Sequence, residues 1–577
     1  MNCSTHILYA LLAVALALLP GVLSGADSSG APATAPATRR AAAIRQVPAS
    51  GPVAPIVLTH DWPSYLGPSG NFSESSNARL LDDLNNARLV WESQEQRMGY
   101  GKQPEGPYPR LYPQFGDLPP GGAATPILVG GLLLHAHFIP SGEVWAKDIE
   151  SALKPEEFVK QRWLVAADDA MIAIDAKTGK TAWKQVFSGK GLNIPNIKYA
   201  GWGLTPAADD KGRVFMVGTT GRVYAMEVAS GKVLWETTVG DRHEALEKLK
   251  TQCISEQRLA AARRKLIFNM LGGLIVVEGV LLSPDLDKGG LLGFDTRDGR
   301  TLWHIPGPVT SGHNLPCPVT VAGHVYVATV NNVGDLRLID PKSGQVLWKH
   351  ALKSQHFTQP VFTGQHLLVF DPHPTYHRTD PGSMARQQAL GEVKRYGLLA
   401  AYALTDTGAT RAWSLPNDHV HELHMDGGPT RRVVARDGVV YYLNWNGGEQ
   451  QRRHLVIIRD ADGKLLSDQQ VEESHLYLWG DRLVLPNDIQ HRPAPWRPEI
   501  WRLFTLDPAG PKPLGKPWLV NTQEQFVHIG DSGYEVPILE VFADGLMYCR
   551  VMGGFRCYDL RRPTSAQLNE ARNATSR

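Results

Sequence analysis

Along this chain an apolar strand end, a polar turn and a returning apolar strand recur as one unit. The clearest copy is Ala173-Ile174-Asp175-Ala176-Lys177-Thr178-Gly179-Lys180-Thr181-Ala182-Trp183. Asp175 can accept backbone N–H bonds inside the turn, and Gly179 supplies a residue with positive φ. Trp183, on the returning strand, is large enough to fill a gap between two sheets. The pattern returns at Ala225 to Trp235, at Asp295 with Gly299 and Trp303, and at Asp340 with Gly344 and Trp348. Weaker copies are Tyr402 to Trp413, Ile458 to Lys464 without a tryptophan, and Asp507 to Trp518. Cys557-Tyr558-Asp559-Leu560 is the last strand end and has no tryptophan after it.

The orphan partner is Trp91, in Ala87-Arg88-Leu89-Val90-Trp91, which no turn precedes. Turns at 175, 227, 295, 340, about 405, 460, 507 and 559 make eight units. A ring whose last unit takes its outer strand from the N-terminal side pairs the two orphans and removes exposed sheet edges. The expected fold is all-β: an eight-bladed β-propeller of four-stranded antiparallel blades, with short helical insertions. Seven blades is the alternative if the degenerate sixth copy is not a blade.

The first turn matches Ala-x-Asp-x-x-Thr-Gly-Lys-x-x-Trp, the tryptophan-docking signature, so the chain resembles the quinoprotein-like (PQQ-binding-like) β-propeller family. His60-Asp61-Trp62-Pro63-Ser64-Tyr65-Leu66-Gly67-Pro68 is similar to the lead-in of its large secreted bacterial members. The resemblance covers roughly 60 to 562. It implies fold more than activity, because the family holds quinone dehydrogenases and non-catalytic scaffolds alike. The structural docking residues it implies are Asp175, Gly179, Trp183, Trp235, Trp303, Trp348 and Trp91.

With 56 Gly, 41 Pro and 15 Trp in 577 residues, composition agrees with an all-β chain of this kind. A formal charge of +2 gives no footprint for nucleic acid or anionic membranes. The apolar run Ile7 to Leu19, followed by Ser24-Gly25-Ala26, reads as a signal peptide over 1–26, since a membrane span needs about 20 apolar residues. An uncleaved anchor is the rival, because the segment before the run lacks Lys and Arg. No cysteine follows the run, which departs from the lipoprotein scaffold of the outer-membrane β-barrel assembly machinery that shares the fold. Residues 27–58, rich in Ala, Pro and Thr, read as a disordered linker, 59–562 as the propeller and 563–577 as a polar C-terminal tail. The expected location is secreted or periplasmic, and the expected state a monomer.

Insertions interrupt the repeat at 92–122, at 147–162 and after Asp241, where Leu246, Leu249, Cys253, Gln257 and Ala260 share a helical face. A further insertion, Pro372 to Gly397, carries His373, His377 and Arg378, a place to look for specificity.

Candidate chemistry is sparse. Each blade begins with its innermost strand, and Trp202, His313, His356, His424 and His475 sit just ahead of five of these strands. They are the candidate ligand site at the channel mouth, with His356 and His424 as candidate metal ligands. Loop histidines bonding the next blade are the alternative. His135-Ala136-His137 and His419-Val420-His421 alternate as in strands, each pair sharing a face. Cys549 and Cys557 fall opposite each other if Met552-Gly553-Gly554 is a three-residue hairpin loop, which permits a cross-strand disulfide in an oxidising compartment. Two reduced core thiols is the rival, and nothing pairs Cys253 with Cys317.

Quinone-dependent alcohol dehydrogenases of the resembled family stack their cofactor on a disulfide between adjacent cysteines, beside an Asp and a Ca²⁺. This chain has no Cys-Cys pair. Asp168-Asp169 and Asp209-Asp210 read as ordinary turn residues. No catalytic residue is assigned, and no cofactor is expected, with PQQ and Ca²⁺ the alternative. The leading reading is a non-catalytic binding or scaffold module with a protein partner or small ligand at the propeller face. A PQQ-dependent alcohol or sugar dehydrogenase competes with it. A carbohydrate-binding propeller, resting only on Trp445, Trp479 and Trp496, is third, and core or inter-blade packing is the expected fate of those rings.

Overall fold

Eight antiparallel sheets arrange the chain, seven of them with their four main strands neighbouring in sequence order. The computed structural model describes residues 55–95, 124–147, 163–193, 204–239, 273–285, 290–310, 314–352, 359–372, 396–422, 433–446, 452–487, 499–520, 540–550 and 554–563, less 75, 77, 332, 333 and 474. Blades 1 to 7 occupy 127–193, 207–238, 275–305, 317–351, 361–414, 433–471 and 477–520. The degenerate sixth copy is a full blade. Blade 5 carries a fifth strand, His421–Glu422, paired with its third. The eighth blade takes three strands from 541–559 and its outermost, Arg88–Glu92, from the N-terminal side. Arg88 faces Asp559, Leu89 faces Tyr558 and Trp91 faces Cys557, as the orphan pairing requires.

Each docking tryptophan reaches past its own blade. The indole N–H of Trp91 donates to Ala176 O of blade 1 at 3.0 Å, and that of Trp183 to Val228 O of blade 2 at 2.8 Å. Trp235, Trp303 and Trp348 do the same to Thr296, Pro341 and Thr405 of the next blades. The turn glycine is where the ring lands. A Cβ on Gly179 would sit 2.8 Å from the Trp91 ring, and one on Gly231 2.5 Å from that of Trp183. Gly179 therefore answers two demands, a φ of +72° and room for a neighbouring ring. Asp175 completes the turn by accepting from the N–H groups of Lys177 and Thr178 at 3.0 and 2.8 Å. The motif thus codes for blade-to-blade contact rather than for one hairpin, and the run of docks from Trp91 onward is what closes the ring.

Among the described residues the one helix is a 3-10 turn, Leu84–Asn86, whose first turn Asp83 caps. The expected helical insertions are not supported: Lys147 ends a strand of blade 1, and 148–162 and 240–272 lie outside the described residues. So do the signal peptide, most of the linker, most of the 92–122 loop, and His373, His377 and Arg378.

Candidate functional site

Residues 59–80 run through the space the ring encloses. Trp62 exchanges backbone hydrogen bonds with Leu128, at 2.6 and 3.0 Å, in the inner strand of blade 1. Pro63 O accepts from Ala208 N of blade 2 at 2.9 Å. On the return, Asn71 Nδ2 donates to Ala435 O of blade 6 at 3.1 Å, and Glu74 N to Leu478 O of blade 7 at 3.2 Å. Leu80 N donates to Asp481 at 3.0 Å. A segment this short meets blades on opposite sides of the ring only from the axis.

The lead-in folds on itself as it does so. Phe72 N donates to Leu66 O at 2.8 Å, and the Tyr65 and Phe72 rings meet edge to face at 5.7 Å. Tyr65, Leu66 and Phe72 are buried in one apolar cluster with Ile275, Leu315, Val434 and Leu476. The spacing within Asp61-Trp62-Pro63-x-x-x-Gly67 has a physical cause. Asp61 accepts from Gly130 N at 2.9 Å, while Trp62 folds back so that a Cβ on Gly67 would fall 2.8 Å from its ring.

At the neck of this loop His60 and Glu74 meet the first turn of blade 8. Asp544 accepts from Thr59 N at 2.6 Å, from Thr59 Oγ1 at 2.8 Å and from His60 N at 3.1 Å, and His60 Nδ1 lies 2.6 Å from its Oδ1. Glu74 is wholly buried, and burial raises its carboxyl above the usual range. The sequence held a signal for this: His60 opens the quoted lead-in. Nothing there linked it to residue 544.

Of the candidate rim, Trp202, His313, His356 and His424 lie outside the described residues. His475 is buried at the start of blade 7, its N–H donating to Pro486 O at 3.2 Å. His135 and His137 share one face as expected, stacked with centroids 5.6 Å apart. Burial and the Lys184 and Arg550 charges push His137 down to about 3, so it is neutral under ordinary conditions. His419 spends both ring nitrogens on carboxylates, Asp418 at 2.8 Å and Asp468 at 3.1 Å. The side chain of His421 is not among those described.

Two readings need correction. Cys549 faces Arg556 and Cys557 faces Tyr548, because four residues rather than three separate Arg550 from Phe555. The one-residue shift turns the two sulfurs to opposite faces of the sheet, and both are free buried thiols, as is Cys317. Asp168 and Asp169 lie within the long strand Trp163–Asp175, not in a turn. Trp479 is buried and stacks on Phe542 at 4.7 Å, the core packing expected of it ahead of a sugar platform. Asp209 is turn chemistry as read, accepting from Lys211 N and Arg213 N, both at 3.0 Å.

Asp169 is the buried acid the sequence disguised. Its Oδ1 accepts from Thr219 N and Oγ1 of blade 2, both at 2.9 Å, and Gly218 makes room for it, since a Cβ there would lie 2.0 Å from Oδ2. Burial, opposed by the Thr219 bonds and by Arg222, pushes the carboxyl up to about 6 from an ordinary 3.8. A raised carboxyl binds its proton more tightly in the folded chain. Stability from this group is therefore greatest below about 4 and falls as pH rises through about 6. Asp169→Asn should flatten that fall, on the order of 2–3 kcal/mol, in urea unfolding at pH 4.5 and 7. Equal pH slopes in both proteins would contradict it.

The family described as outer membrane protein assembly factor BamB matches residues 173–356 and 287–477. The chain is 24% identical over 261 residues to the outer membrane protein assembly factor BamB of Yersinia pestis, covering 39% of this chain and 61% of that protein. It is 22% identical over 208 residues to that of Burkholderia pseudomallei, covering 33% and 54%. The chain therefore spans between about half and three fifths of the curated relatives it matches. Among solved structures, BamB from Moraxella catarrhalis aligns at a TM-score of 0.41 and 10% identity, covering 69% of this chain and 92% of that one. A quinohemoprotein alcohol dehydrogenase from Comamonas testosteroni aligns at 0.46 and 11%, covering 88% and 82%.

Proposed function

The chain belongs to the family described as outer membrane protein assembly factor BamB, whose overlapping matches cover a little over half of it, and from that premise we infer that it is a non-catalytic scaffold of the bacterial envelope. It acts in the periplasm or at the cell surface and binds a protein partner, in the service of outer-membrane protein assembly as its relatives' description has it. One observation carries the non-catalytic reading: the chain's own lead-in, with Tyr65, Leu66 and Phe72 buried among inner-strand residues, occupies the axis. Partner binding is supported by the outer strands, where Val233, Leu234 and Leu302 of neighbouring blades are exposed large apolar side chains. Unpaired outer edges also offer backbone groups to an added strand. Among the described residues no helix is long and apolar enough to cross a membrane.

The test is to add pyrroloquinoline quinone with Ca²⁺ to the purified chain. No chromophore should survive gel filtration, and no alcohol, sugar or aldehyde should drive dye reduction. A photoreactive side chain at position 234 or 302 should meanwhile capture a discrete protein partner in intact cells. Retained quinone with substrate-dependent turnover would replace the scaffold with the dehydrogenase.

A further inference from the structure

His60, Glu74 and Asp544 offer one imidazole nitrogen and two carboxylates whose ligand atoms all lie within 4.8 Å of one another. The first two sit at either end of the loop that fills the axis, and the third sits in the first turn of the closing blade. Charge is the point of departure. Glu74 is wholly buried, yet its hydrogen bonds come from neutral groups, Ser76 N at 2.9 Å and Ser76 Oγ at 2.8 Å. Its one ion-pair contact among the described residues is His60 Nδ1, at 4.0 Å. Arg436 donates to the Glu74 backbone oxygen, at 3.2 Å, and forms no ion pair with its carboxylate. A buried carboxylate is kept when a cation or a metal compensates it. Here two acidic side chains converge on a single imidazole, Asp544 Oδ1 at 2.6 Å and Glu74 Oε1 at 4.0 Å from His60 Nδ1.

The geometry points to a divalent transition-metal site, of zinc-like chemistry, formed by His60 Nδ1, Glu74 and Asp544, which clips the neck of the axial loop to blade 8. An imidazole with two carboxylates is a donor set for a borderline ion rather than for Ca²⁺, which takes more oxygens and no nitrogen. Ligand atoms around a tetrahedral ion lie about 3 Å apart, so His60 and Asp544 open slightly and Glu74 closes by roughly 1 Å. The side chain of His60 is 39% exposed, which gives the ion a way in and leaves the fourth position to water. Asp544 is already oriented by the Thr59 and His60 N–H groups, the outer support that metal ligands need.

The experiment uses the full chain stripped with EDTA and titrated with Zn²⁺ alone, in competition with a chromophoric zinc indicator, alongside its unfolding temperature. The wild-type chain should hold one ion at least about tenfold more tightly than His60→Ala and gain thermal stability from it. Asp544→Asn should behave like His60→Ala, and Ca²⁺ should not substitute. Glu74→Gln is the stricter variant; should it not fold, the half-exposed His60 keeps the test decisive. Equal zinc uptake and equal stabilisation in wild type and His60→Ala would overturn the site, leaving adventitious binding by other histidines. So would equal stabilisation by Ca²⁺. Neither outcome depends on whether the propeller is a scaffold.

Discussion

Trp91→Ala should lower the unfolding free energy by about 3–5 kcal/mol, the cost of emptying a large buried aromatic site. Trp91 is buried on the one strand that the N-terminal side lends to the last blade. Its ring rests on Gly179 of blade 1, and its N–H bonds to Ala176 O. Around it, Gln94 N donates to Gly179 O at 2.8 Å and Ser93 N to Phe555 O at 2.9 Å. The substitution therefore weakens strand pairing and blade docking together, at the seam where first and last blades meet. Trp348→Ala is the comparison. Its N–H bonds to Thr405 O at 2.9 Å, but the ring is only partly buried and joins blades already continuous in the chain. A loss of about 1–2 kcal/mol is expected there. Urea unfolding monitored by circular dichroism separates the two, and equal losses would remove the special status of the closing strand.

Phe72→Ala should cost a similar amount, about 3–5 kcal/mol, and should do so locally. Phe72 holds a φ of 60°, a left-handed conformation that costs a residue with a β-carbon about 1–2 kcal/mol. Burying its ring on the axis returns about 2–3 kcal/mol, and the edge-to-face contact with Tyr65 adds to that. Burial thus outweighs strain by a small margin, and removing the ring leaves the strain alone. The lead-in should then detach before the blades unfold. Limited proteolysis should cut within 58–80 in the variant while leaving 127–471 intact, and Phe72→Leu should restore most of the protection. Cleavage spread across the blades would mean that the loop supports the whole ring rather than filling it.

The repeat was legible because each turn is local chemistry. An Asp that accepts turn N–H groups, a Gly with positive φ and a Trp four residues on need no knowledge of the rest of the chain. The clear copies of that unit, the degenerate ones between them and the two orphans were enough to give the blade number and the strand that closes the ring. What each tryptophan touches was not legible, since its acceptor lies in the following blade, 38 to 85 residues away. The lead-in motif was visible as a string, but why Gly67 must lack a side chain appears only when Trp62 folds over it. Asp169 misled because paired aspartates usually mark turns; here Thr219 and Gly218 of the next blade make a strand interior tolerable for one of them. Cys549 and Cys557 failed on one residue of loop length, enough to turn a side chain to the other face. The pairing of His60 and Glu74 with Asp544 spans nearly the whole chain, a separation that no local pattern encodes.

Amide hydrogen exchange on the wild-type chain, followed for peptides over 88–92 and 555–559, reads the closed wheel without any mutation. If the ring is sealed by its two distant ends, both stretches will exchange slowly and lose protection together as urea rises. Fast exchange over 88–92 beside a protected 555–559 would show an open blade, and the axial loop would then have no closed channel to fill.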